Sequence, residues 1–205
     1  MSGTYLVIDI DNVIACTDEV MRDVIKKHSA DHVDFCYEDI KHFDYSKCID
    51  RKGRRLKKGE WHLIHEKFSR EEYILRIQPY SDIQTYLSKL SNVGYYIHLV
   101  TSRLKIARES TVKWLNNYEI PHHGLHFVKH RCKHLIFQNC AGVIEDDLDQ
   151  AREFANLGIS TCLLAHPWNN VHKTEFITRA QNWEEIVEIL VSRYELCDEC
   201  LKMAN

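Results

Sequence analysis

Five short apolar runs recur along the chain: Tyr5 to Ile8, Tyr95 to Val100, Leu125 to Val128, Gly142 to Ile144 and Thr161 to Leu164. Runs of this length, apolar throughout, read as strands buried on both faces. Helical patterns separate most of them. Strands alternating with helices pair in parallel, because each helix carries the chain back across the sheet. The expectation is an α/β fold, with a Rossmann-like parallel sheet of five strands and helices on both faces. Ser81 is placed to cap one helix, whose Ile83, Tyr86, Leu87 and Leu90 share a face and whose end is marked by Gly94. Others run from about Leu104 to Tyr118 and from Asp149 to Leu157, ahead of Gly158. The last opens on a capping box, Asn182 with Glu185.

The strand–helix rhythm fails between about Ala15 and Gln78. Helix-like stretches there, Val20 to His28 and Glu60 to Glu72, stand beside polar, aromatic and basic residues. This predicts a small helical insertion, or cap, over residues 15–78, set into a core domain formed by 1–14 and 79–205. The 205 residues suffice for one core and a modest insertion. An apolar fraction of 44% is that of an ordinary globular protein, no apolar run approaches the length of a membrane span, and a net charge of −3 gives no general attraction to nucleic acid or lipid. The N-terminus enters its first strand without a basic-then-apolar leader, so the expectation is a cytoplasmic protein. The eight cysteines are diffusely spaced, which favours small buried hydrophobes over a disulfide framework. Cys197 and Cys200 form the one CxxC; His130, Cys132 and His134 could complete a zinc site, but they read better as a polar, His-rich stretch.

Chemistry-bearing residues collect where the strands end. Asp9 and Asp11 follow the first strand, Thr101-Ser102-Arg103 the second, Lys129 and Lys133 the third, and Glu145-Asp146-Asp147 the fourth. Taken singly, Thr101 or Asp147 reads as a helix cap, Asp11 as a turn former and either lysine as a surface group. Taken together they bring carboxylates, a hydroxyl and an ammonium to one sheet edge, where ligands of open α/β folds bind. Adjacent carboxylates repel unless a cation or a proton lies between them. Oxygen ligands at this density suit Mg²⁺, and the hydroxyl and ammonium suit phosphate oxygens.

The set resembles the haloacid dehalogenase superfamily of aspartyl-phosphate-forming phosphatases. Its four motifs are matched in order by Asp9-Ile-Asp11-Asn-Val13, Val100-Thr101-Ser102, a lysine near 133, and Ile144-Glu145-Asp146-Asp147. An insertion after the first motif is similar to the helical caps of that superfamily. Thr101-Ser-Arg103, Ala165-His-Pro-Trp-Asn169 and Asn182-Trp-Glu184 look like the 5′(3′)-deoxyribonucleotidase-like branch. Many relatives carry glycine where this chain has Asn12, and asparagine is the non-glycine residue that best tolerates positive φ. Lys129 and Lys133 both fit the lysine motif; Lys133 is preferred because it can open a short helix, Lys133 to Asn139, and point back at the site.

The resemblance implies Asp9 as nucleophile, Asp11 as acid and then base, and Thr101 and Lys133 as stabilisers of the transferring phosphoryl group. It implies Mg²⁺ held by Asp9, Asp11 through its backbone carbonyl, and Asp146, with Glu145 and Asp147 in support. Ser102, Arg103 and Trp61 are the candidates for substrate contact. The substrate class implied is a small phosphorylated metabolite, with a nucleoside monophosphate first. Trp61, His62, His65 and Phe68 share helical spacing, which fits the insertion's own core better than base stacking. Arg51 to Lys58 holds six basic residues in eight. It reads as a solvated loop tip or as a rim recruiting nucleotides or a nucleic-acid end. A phosphatase for a polynucleotide end and a non-catalytic binding protein are the competing readings.

Overall fold

The computed structural model describes residues 4–171 and 174–203, with 195–203 by backbone alone. Its frame is a parallel sheet of β1 (Tyr5–Ile8), β2 (Tyr96–Thr101), β3 (Gly124–Phe127), β4 (Gly142–Glu145), β5 (Thr161–Leu164) and β6 (Ile177–Ala180), in the order β3-β2-β1-β4-β5-β6. The sheet therefore has six strands, not the expected five. The sixth hides in the sequence because Thr178 and Arg179 interrupt its apolar character. It is an edge strand with only Ile177 and Ala180 buried, so it carries no continuous apolar run.

Alternation along each strand sends side chains to opposite faces. Leu6 and Ile8 enter one apolar cluster with Ile97, Leu99 and Ile144. That face is covered by α4 (Ile83–Val93) and α8 (Trp183–Met203), through Leu87, Leu90, Ile186 and Leu190. Val7, Val100 and Val143 point the other way, to Phe137 and to Phe154 of α7 (Leu148–Asn156). α5 (Arg108–Asn117) follows β2, and a single turn, α6 (Lys133–Ile136), follows β3. α6 is shorter than the expected Lys133 to Asn139, since Phe137 has already left helical geometry. The helix expected from Leu104 opens instead as a 3₁₀ turn, Lys105–Ala107. The N-cap of α4 is Asp82, in a left-handed conformation at φ 60°, not Ser81.

Between β1 and α4 lie α1 (Thr17–His28), α2 (Glu60–Phe68), α3 (Glu71–Ile74), two 3₁₀ turns and no strand. The chain leaves and returns side by side: Cys16 N donates to Gln78 O at 2.8 Å and Tyr80 N to Ile14 O at 3.0 Å. Two buried indoles fix this junction, Trp114 Nε1 donating to Ile77 O and Trp183 Nε1 to Val13 O, each at 2.7 Å. The apolar cluster runs unbroken from Leu6 and Ile8 into Val24, Ile25, Phe35 and Tyr45 of the insertion. No described helix is long and apolar enough to cross a membrane.

Candidate active site

β1 is flanked by β2 on one side and β4 on the other, so the chain order reverses there. The crevice beyond the carboxyl ends of such strands is the ligand position of open α/β sheets. Asp9 leaves the end of β1 with its N–H donating to Ile144 O of β4 at 3.0 Å. Glu145 and Asp146 leave the neighbouring end. Carboxylate oxygens of Asp9, Glu145 and Asp146 thereby lie within 4.8 Å of one another, all buried.

Lys133 supplies the counter-charge. Its Nζ lies 2.8 Å from Asp9 Oδ1 and 2.5 Å from Glu145 Oε1. Lys129 is on the surface, so the structure brings only Lys133 to the acids. One ammonium cannot neutralise three buried carboxylates. Burial and the neighbouring acids push the Asp146 carboxyl well up, and burial raises Asp9 against the pull of Lys133. Burial pushes Glu145 up to about 8, again opposed by Lys133. Burial alone would lower the lysine, yet the adjoining acids hold it above its ordinary range. Asp146 Oδ1 is buried with no hydrogen-bond partner. Three crowded carboxylates and an orphaned oxygen fit a hard divalent cation with oxygen ligands.

Asp11 faces elsewhere. Its Oδ1 accepts from Thr17 Oγ1 at 2.6 Å and from Arg103 Nη2 at 2.8 Å. Burial would raise this carboxyl, but the Arg103 guanidinium overrides it and the net shift is downward. The Asp11 carboxylate is therefore not part of the acidic triad, because the guanidinium and the threonine hydroxyl turn it aside. Thr101, fully buried, presents Oγ1 to Asp11 Oδ2 at 3.4 Å and accepts from Arg103 N at 3.1 Å. Arg103, expected at the substrate, donates from Nη1 to Thr111 Oγ1 at 3.1 Å and also lines the cavity above these groups. Asp147 caps α7, its Oδ1 accepting from Asp149 N at 2.9 Å.

Over these groups lies a cavity of about 320 Å³, within the range of small-molecule sites. Asp9, Asp11, Ser102 and Lys133 form its floor; Tyr45, Trp61, His65, Phe68 and Trp168 form walls. Tyr45 and Trp61 stack at 5.2 Å. The stripe packs, with Phe68 in the apolar cluster and Trp61 against it, and Trp61, His65 and Phe68 also border the cavity, while His62 is exposed. Of the basic run Arg51 to Lys58, the stretch Gly53 to Lys58 lines a separate surface hollow beside Asp31 and His32, while Arg51 faces Glu38 and Asp39. Arg54 pairs with Asp50 and Lys57 with Asp31, and the run shares no lining residue with the cavity over the acids, in keeping with the solvated loop tip. His130 stacks on Phe43, and His134 faces Gln150 and Glu153. With Cys132 they form no ligand set among the described residues, and the side chains of Cys197 and Cys200 lie outside them.

Support behind the floor escaped the sequence reading. Asn169, buried, donates from Nδ2 to Asp146 O at 2.9 Å and Leu164 O at 2.7 Å. His166 Nε2 meets Asn12 O at 2.8 Å. Both belong to the Ala165 to Asn169 segment, whose resemblance was noted without a role. Thr17 carried no signal beyond its place at a helix start.

The family model described as 5′ nucleotidase, deoxy (pyrimidine), cytosolic type C protein (NT5C) matches residues 4–195. The chain belongs to this family. Within NT5C, the four strand-end clusters fall inside the matched span. A nucleotidase of Clostridium acetobutylicum is 28% identical over 116 residues, covering 56% of this chain and 60% of that protein. The chain thus matches under two thirds of that curated relative's length. The NT5C chain also shares its fold with a haloacid dehalogenase-like hydrolase of Streptococcus pneumoniae. That structure has a TM-score of 0.65 at 13% identity, over 92% of this chain and 98% of that one. A HAD family hydrolase of Deinococcus radiodurans, solved with bound phosphate and sodium, gives 0.62 at 12%, over 93% and 96%. The α/β sheet of this NT5C member is therefore HAD-like.

Proposed function

We propose that the chain is a Mg²⁺-dependent phosphomonoesterase acting on (deoxy)nucleoside monophosphates through an aspartyl-phosphate on Asp9. The observation that carries this reading is the Asp9–Lys133–Glu145–Asp146 cluster beneath an aromatic-walled cavity. Family membership and the nucleotidase relative support it. Residues 15–78 act as the cap that supplies all of the named walls but Trp168. The described cysteines are free thiols, which supports a reducing, cytoplasmic setting.

Asp9, Asp146 and the Asp11 backbone carbonyl would hold Mg²⁺, with Glu145 and Asp147 in support. Bound there, the cation neutralises charge that otherwise repels a phosphate dianion from the acids. Lys133 fixes the Asp9 carboxylate and screens the incoming phosphate. Asp9 attacks phosphorus as the bond to the nucleoside oxygen breaks, and Asp11 gives that oxygen its proton. Asp11 then takes a proton from water, which attacks phosphorus, breaks the acyl-phosphate bond and restores Asp9. Arg103 and Thr17 hold Asp11 ionised in the free protein. A phosphate beside it raises its pKa by like charge, so it gains its proton as substrate arrives. Ser102, at the cavity, would donate to phosphoryl oxygens; Thr101, buried with Oγ1 toward Asp11, takes that role only by the family resemblance. The aromatic walls, Tyr45 and Trp61 stacked on one another among them, would pack against a base.

The test is a screen of phosphorylated metabolites with and without Mg²⁺, using Asp9→Asn as the blank. Phosphate release from nucleoside monophosphates that needs both Mg²⁺ and Asp9 is the expected result. Equal turnover by Asp9→Asn, or no release from any nucleotide, overturns the reading.

A further inference from the structure

Asn12 turns the chain just beyond the two aspartates at φ 56°, a left-handed conformation that residues with a side chain rarely adopt. Its buried amide is engaged at both ends. Nδ2 donates to Asp146 Oδ2 at 3.3 Å, and Oδ1 accepts from Asp18 N at 2.7 Å. The second bond stands in for a missing cap, because Cys16 at the N-cap of α1 offers no side-chain hydrogen bond. The first holds one oxygen of Asp146 and thereby fixes its carboxyl plane, leaving Oδ1 as the oxygen without a partner. The backbone is braced as well. His166 Nε2 donates to Asn12 O at 2.8 Å, while its Nδ1 accepts from the Tyr37 hydroxyl at 2.7 Å.

We propose that Asn12 is a positioning residue of the cation site, orienting Asp146 and anchoring the start of α1 with the same side-chain amide. The inference rests on the cation reading above and adds a residue to it. A donor and an acceptor on one planar group are what the position demands. Glycine satisfies the backbone and neither arm. Aspartate keeps the acceptor but sets a third negative charge against Asp146. Groups that orient metal-ligating carboxylates typically govern affinity by about 10- to 100-fold.

The test titrates Mg²⁺ calorimetrically into metal-free protein without substrate, for the unsubstituted chain, Asn12→Gly and Asn12→Ala. Thermal unfolding in chelator verifies that each variant is folded. Glycine relieves the strained φ and alanine does not, so an amide effect appears in both. The expected result is a Mg²⁺ dissociation constant raised about 10-fold or more in both. Unchanged affinity in Asn12→Gly overturns the proposal, and a loss confined to Asn12→Ala does so too, because it traces to backbone strain. Absence of Mg²⁺ binding by the unsubstituted protein overturns the cation reading and this proposal together.

Discussion

Arg103 grips Asp11 as a fork, with Nη2 2.8 Å from Oδ1 and Nε 3.1 Å from both carboxylate oxygens. A fork orients a carboxylate in its plane, which a point charge cannot do. Arg103→Lys therefore keeps the charge and loses the orientation. We expect kcat to fall by about 100-fold, with substrate KM less affected. In Arg103→Met the Asp11 pKa rises once the guanidinium is gone. Any limb of the rate profile governed by Asp11 then moves to higher pH. Steady-state rates from pH 5 to 9 measure both effects.

Lys133→Met leaves the buried carboxylates without their cation. Breaking a buried pair by removing one partner costs about 3–5 kcal/mol. Without the ammonium the folded-state pKa values of Asp9 and Glu145 rise further. A raised folded pKa contributes stability at low pH that is lost as pH rises through it. The deficit relative to the unsubstituted chain should thus be larger at pH 7.5 than at pH 5 in urea denaturation. Phosphate release should fall at least about 100-fold.

Asp146→Asn removes a carboxyl whose ionised form burial disfavours. In chelator this variant should unfold at a higher temperature than the unsubstituted chain. Mg²⁺ at 100 times its dissociation constant should stabilise the latter by about 2.7 kcal/mol and leave Asp146→Asn unmoved. Thermal melts with and without Mg²⁺ decide the matter. An equal metal-induced shift in both would remove Asp146 from the cation site.

His166 is held neutral, its pKa brought down to about 4 chiefly by burial and despite the carbonyl of Asn12. The unfolded chain takes up this proton near pH 6.5. A depressed histidine therefore contributes stability above that pH, which is lost as pH falls toward 4. The loss amounts to about 3 kcal/mol over that interval. His166→Gln should be less stable at pH 7 yet decline less between pH 7 and 4.5. Urea midpoints across that range provide the check.

What the sequence made legible follows from where single residues carry the information. β1 and β5 begin and end where their apolar runs do, because both faces of a central strand are covered. β6 was invisible because an edge strand needs apolar residues only in part, and Arg179 serves the loop instead, donating to His166 O at 3.1 Å. Asp9, Glu145 and Asp146 were readable because each lies directly at a strand end. Lys133 was separable from Lys129 only by the turn that carries it inward. The roles of Thr17, Asn12, His166 and Asn169 depend on loops folding back on one another, for which no local pattern exists. The aromatic stripe was periodic but mute about its neighbour, since periodicity names a face and not what that face meets.

The strand that leads into Asp9 is completed only by partners far along the chain. Tyr5 finds its partner in Tyr96, and Leu6 finds its other partner in Gly142, so this apolar ribbon stays unpaired until two distant segments reach it. Closing such long loops makes folding slow and leaves the ribbon open to wrong partners meanwhile. Truncations that stop short of Gly142 should accumulate as aggregates or chaperone clients, while the longest-protected amides of the finished molecule should be those of this doubly flanked ribbon.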